Sequence, residues 1–130
     1  MGETAGADRD CLAVLDARRG EAFAALYAAD GSRSWGPFVA APAELADRVG
    51  ALPQPPLAAG SGAVRFRDEL ASRDVEVPGD ADPVHRVAAR HVCALAGAGG
   101  GVGDDRLDPI YLRPPDAQRW RERNDVQTAE

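Results

Sequence analysis

The side chains of this chain best suited to acid-base or metal chemistry are two histidines, His85 and His91. Six residues apart on a helix, they point about 240° from each other, so they cannot chelate one ion from a single face as i,i+4 ligands do. No zinc site is expected. His91 falls on an apolar helix face and reads as a core histidine with one hydrogen bond; His85 reads as solvated. Cys11 and Cys93 have no histidine beside them in sequence, and no nucleophile-elbow glycine pattern surrounds any serine, so a covalent hydrolytic mechanism lacks its parts. Both thiols read as ordinary buried cysteines. Gly60-Ser61-Gly62 lies between an expected strand and an expected helix, where backbone amides can cradle a phosphate. The motif stops there. Arg65 stands where a dinucleotide fingerprint has its third glycine, and no Gly-Lys-Ser/Thr of a P-loop occurs. A tight strand-to-helix turn explains the same residues.

Two arginine-bearing segments remain. Arg119-Trp120-Arg121-Glu122-Arg123 could stack a base between phosphate contacts. Asp116, Glu122 and Asp125 offset much of that charge, and a solvated tail explains the segment as well. Asp16-Ala17-Arg18-Arg19-Gly20-Glu21 is the most concentrated charged turn. Gly20 permits a positive φ, which suits a hairpin tip that exposes Arg18 and Arg19 while Asp16 or Glu21 restrains them. Used functionally, the forked guanidinium donors would meet a carboxylate or phosphate on a partner.

The elements that must position these residues are legible as an α/β pattern. Cys11 to Asp16 and Ala22 to Tyr27 are short apolar runs flanking the charged turn, which predicts a β-hairpin. Asp30-Gly31-Ser32 is a second turn and Trp35 to Ala40 a third strand, giving an antiparallel three-strand meander. Pro42 suits a first helical position, and Leu45, Val49 and Leu52 line one face of a helix that ends before Pro53. Leu57-Ala58-Ala59 reads as a brief strand. Val64, Phe66 and Leu70 suggest a second helix, and Val75-Glu76-Val77 another short strand. Asp82-Pro83, an N-cap followed by a proline, opens a helix expected to run to about Ala96 and to pack on the sheet through Val84, Val87, Ala88, His91 and Leu95. Gly97 to Gly103 reads as a flexible connection, Pro109 to Arg113 as a final extended segment, and Asp116 to Asn124 as briefly helical. Three parts follow: a leader over 1–9, an α/β domain over 10–113, and a polar tail over 114–130.

Composition bounds the rest. At 130 residues the chain is one ordinary domain, and with 45% hydrophobic but 5% aromatic residues its core must be built mainly from Ala, Val and Leu. A net charge of −6 opposes non-specific binding to phosphate backbones. Two distant cysteines form no disulfide framework, and with neither a signal-peptide pattern nor an ~18-residue apolar run a cytoplasmic protein without membrane contact is expected.

Asp16-Ala17-Arg18-Arg19-Gly20-Glu21-Ala22-Phe23 resembles the Asp-Ala-Arg-(basic)-(Gly/Glu)-Glu-Val-Tyr signature of the bacterial TsaB family, also called YeaZ. Asp108-Pro109-Ile110-Tyr111-Leu112-Arg113 is similar to the same family's C-terminal Pro-(Val/Leu)-Tyr-Leu-Arg segment. The likeness covers roughly Cys11 to Arg123 and makes Asp16, Arg18, Arg19, Gly20, Glu21, Pro109, Tyr111, Leu112 and Arg113 signature residues. It implies a ribonuclease-H-like half of an actin-like ATPase (ASKHA) fold, in which the meander is followed by alternating helices and short strands. It also implies a non-catalytic scaffold and dimerisation subunit, without cofactor, of the complex that makes N6-threonylcarbamoyladenosine in tRNA. In that complex a TsaD paralogue catalyses, TsaE supplies ATPase activity, and TsaB meets tRNA only indirectly; homodimers are implied too. The partner's His-x-x-x-His metal motif does not occur here. Nor does the family's first half with its Ile-Asp-Thr-type opening, so the chain is expected to be a truncated gene product, a fragment or a free-standing copy of the second half. A small nucleotide- or RNA-binding α/β module, using Gly60-Ser61-Gly62 or the Arg119-Trp120-Arg121 tail, is the alternative.

Overall fold

The structure, a computed structural model, describes residues 9–98 and 108–113. Its β-sheet has four strands, β1 (Cys11–Asp16), β2 (Ala22–Tyr27), β3 (Arg33–Ala40) and β4 (Leu57–Ala59), in the order β3-β2-β1-β4. β1 and β2 pair antiparallel from Cys11 opposite Tyr27 to Asp16 opposite Ala22. β2 and β3 are also antiparallel, with register irregularities near Leu26, while β4 lies parallel to β1. The predicted meander is therefore present, its third strand beginning two residues earlier than expected.

Strand alternation sorts the side chains onto two faces. Leu12 and Val14 pair with Leu26 and Ala24, so one face carries Leu12, Val14, Ala22, Ala24 and Leu26, all buried. Helix α1 (Pro42–Gly50) covers this face with Leu45 and Val49, and two short helices, α2 (Ser61–Arg65) and α3 (Arg67–Ala71), add Ala63 and Leu70, with Phe66 between them. The buried apolar side chains are mostly Ala, Leu and Val, as the composition required. Each fully buried Leu or Val contributes roughly 1.5–3 kcal/mol. α1 follows its predicted start at Pro42, and Glu44 and Arg48 lie one turn apart on its exposed side.

Three expectations need correction. The helix expected across Val64 to Leu70 is two helices, because Phe66 leaves helical geometry (φ −104, ψ 31) to turn its ring into the core. Val75–Val77 forms a single parallel bridge, Glu76 to Leu57, rather than a strand. The helix expected from Pro83 is divided: Asp82 caps as predicted, accepting the Val84 N–H at 2.9 Å, but only a 3-10 turn (Pro83–His85) follows. Arg86 is extended, and α4 begins at Ala89 and runs to Ala98, taking in Gly97 and Ala98 from the expected flexible connection. The interruption follows from the tertiary hydrogen bonds of His85, described below.

α4 stands off from the sheet instead of packing on it. Val87, Val92 and Leu95 remain 64%, 55% and 67% exposed. Between this segment and Cys11, Ala13 and Tyr27 on the second sheet face lies an apolar groove of about 250 Å³, with His91 on its wall. Cys93 is exposed, not buried as expected; Cys11 is buried, and desolvation pushes its thiol pKa up. Among the described residues no helix is long and apolar enough to cross a membrane. Residues 1–8, the glycine-rich segment from 99 to 107 and the Arg119-Trp120-Arg121 tail lie outside the described residues.

Candidate interaction site at the charged hairpin

The site is built where β1 ends. Asp16, the last residue of the strand, donates its N–H to Ser61 Oγ at 3.0 Å. Its carboxylate accepts the Arg18 N–H at 2.8 Å and both oxygens face Arg65 Nη1, at 3.0 and 2.9 Å. The Arg18 amide first, and Arg65 second, hold the Asp16 carboxyl below the usual carboxylate range. Beyond it the chain closes through Ala17 N–H to Glu21 O (3.0 Å) and Glu21 N–H to Arg18 O (3.2 Å).

The backbone of that closure is unusual. Gly20 has φ +73 as the sequence suggested, but Arg18 and Arg19 also lie in the left-handed region, at φ 61 and 58. For an L-residue this conformation costs roughly 1–2 kcal/mol. The bonds from Asp16 and Glu21 hold Arg18 and Arg19 there, with both residues exposed. Asp16 restrains the tip through the backbone of Arg18 and gives its carboxylate to Arg65, a residue 49 positions away that no local signal could have linked to it.

The segment at 109–113 meets the hairpin. Arg113 Nη2 donates to Ala17 O at 3.0 Å and Nη1 to Glu21 Oε1 at 3.3 Å, with its guanidinium 5.8 Å from the Phe23 ring centroid. These contacts span 92 and 96 residues of chain and are partly buried. Leu112 is half-buried, while Pro109, Ile110 and Tyr111 are exposed, Tyr111 at 85%. The segment joins no strand.

The Gly60-Ser61-Gly62 turn adjoins the same site and follows β4 into α2 as predicted. Gly60 has φ +118, and a Cβ there would lie 2.2 Å from Val14 O; one on Gly62 would lie 2.7 Å from Val14 Cγ1. Both glycines thus let the turn lie directly on β1. Two polar groups of the turn are committed within the fold: Ser61 Oγ to Asp16, and the Gly60 N–H to His85 Nδ1 at 3.0 Å. His85 Nε2 lies 2.9 Å from Pro78 O. Expected to be solvated, His85 is half-buried with both ring nitrogens on backbone groups. Its signal in the sequence was masked by the helical pattern around it.

Taken together, the geometry is suited to recognition: a braced tip presenting arginines, tied to two distant segments by Arg65 and Arg113. Among the described residues no group of three or more His, Cys, Asp or Glu could hold a metal ion. Comparison with known proteins finds no protein-family model and no curated sequence that matches this chain.

Proposed function

We propose that this chain is a TsaB-like, non-catalytic interaction subunit of the tRNA threonylcarbamoylation machinery, corresponding to one ribonuclease-H-like half of an ASKHA fold. The observation that carries the reading is the clip between the two signature segments, in which Arg113 reaches Ala17 O and Glu21 from more than ninety residues away. Contact between the two segments that carry the resemblance supports reading them as parts of one unit. An antiparallel meander with a parallel fourth strand supports the same architecture. In this reading the chain works in the cytoplasm, binds a TsaD-like catalytic paralogue, and meets TsaE and tRNA through that complex.

Co-elution with TsaD from the same organism, by size exclusion with and without TsaE and ATP, tests the reading. A stable complex weakened by the Arg18→Ala/Arg19→Ala pair is the expected result. Failure to co-elute, both for this chain and for a longer product carrying a TsaB first half, would sink it.

A further inference from the structure

We infer that His85 is a proton-operated latch that holds the β4–α2 turn, and with it the base of the charged hairpin, in place. A backbone N–H can only donate, so Nδ1 of His85 must be unprotonated where it accepts from Gly60 at 3.0 Å. Nε2 then carries the ring's single proton and donates it to Pro78 O at 2.9 Å. The neutral Nε2–H tautomer satisfies both contacts; imidazolium cannot, because a second N–H would point at the Gly60 N–H. Protonation therefore breaks one bond and leaves the other.

What breaks matters because of what the turn carries. Gly60 sits on Val14, Ser61 Oγ holds the Asp16 N–H, and Arg65 of the following helix holds the Asp16 carboxylate. On the other side, the Pro78 loop is anchored independently. Arg67 donates to Val77 O at 3.1 Å and Pro78 O at 2.9 Å and pairs with Asp80. Protonation thus releases the Gly60 N–H of the turn and leaves the loop anchored. The charged groups on the elements around the ring are already engaged or exposed: Asp80 with Arg67, Asp82 with the Val84 N–H, Arg65 with Asp16, and Arg86 exposed. The latch acts on the hairpin of the proposed interaction site, but is itself read on the isolated chain, so it can fail while the TsaB-like reading stands, and the reverse.

The test is NMR on the isolated chain. Long-range ¹H–¹⁵N spectra of His85 should show the Nε2–H tautomer at neutral pH. As the ring titrates, followed at its Cε1–H, the Gly60 amide shift should move with the same midpoint. The Gly60 protection factor, corrected for intrinsic exchange, should fall at least tenfold, while Arg67 Nε–H signals stay fixed. His85→Gln, whose amide oxygen can accept from Gly60, should abolish that pH dependence. An Nδ1–H tautomer, or Gly60 protection unchanged through the His85 titration in the parent protein, would overturn the latch.

Discussion

Replacing Gly60 with alanine should be the most damaging one-methyl change in this fold. Two effects add. The backbone at φ 118 and ψ 172 lies in a region essentially restricted to glycine, where another residue is strained by about 1–3 kcal/mol. In addition, the new Cβ would lie 2.2 Å from the Val14 carbonyl oxygen and 3.1 Å from its carbon, in the middle of the paired strand β1. Relieving an overlap with backbone requires strand or turn to shift, which costs about 1–3 kcal/mol. The sum is roughly 4 kcal/mol, a large fraction of the ~5–15 kcal/mol that stabilises a domain. For a domain of this size that corresponds to a melting point lower by more than about 15 °C. Thermal melts and urea titrations followed by circular dichroism provide the measurement. Gly62→Ala, with ordinary φ but a Cβ 2.8 Å from the Leu15 carbonyl carbon, should fall between Gly60→Ala and the parent. Gly79→Ala, which meets nothing within 4 Å, should lie within about 0.5 kcal/mol of the parent. A Gly60→Ala protein that melts like Gly79→Ala would refute the close approach of turn to strand.

Three further outcomes follow from the same geometry. Arg113→Ala should cost about 1–2 kcal/mol by releasing Ala17 O and Glu21, and a double-mutant cycle with Glu21→Gln should show coupling near ~0.5–1 kcal/mol; zero coupling together with no stability loss would remove the clip. Arg18→Gly should stabilise the chain by about 0.5–1 kcal/mol in urea titrations, because relief of left-handed strain exceeds the entropy lost by glycine, and a clear loss would contradict the strain. The ionisable groups set the pH limits. Asp16 and Asp30 have carboxyls lowered in the fold, Asp30 by the Ser32 hydroxyl and amide. Their contribution is present above the ordinary carboxylate range and lost as pH falls through their folded values. Cys11, raised by burial, acts oppositely: its unfolded thiol ionises first, so stability is lost as pH rises beyond the ordinary thiol range. Urea midpoints against pH should therefore fall at both ends, with a shallower acid limb in Asp16→Asn, and iodoacetamide should label Cys93 well before Cys11; equal labelling of the two would contradict the burial of Cys11.

Local order was readable wherever a short-range rule governed it. Alternation and the Arg19-Gly20 tip specified the hairpin, Pro42 the start of α1, and Asp82-Pro83 a capped turn, because propensity, capping and φ preference act within a few residues. Errors gathered where distant groups compete with helix continuation. Phe66 breaks the helical run by entering the core, and His85 is drawn onto Gly60 and Pro78, ending what the 3.6-residue pattern would have continued.

The amino-acid sequence by itself determined an Ala-, Val- and Leu-based α/β chain with an antiparallel meander and a charged tip. Only the tertiary structure decided what those pieces do to one another. Arg65 reaches Asp16 across 49 residues and Arg113 reaches Ala17 and Glu21 across more than ninety. The strained φ values of Arg18 and Arg19 are held by bonds local to the turn, but the turn is fixed in space by those remote guanidinium groups. The physical reason is range: backbone preference is encoded by neighbours, whereas a salt bridge or a glycine contact depends on which surfaces the sheet brings together.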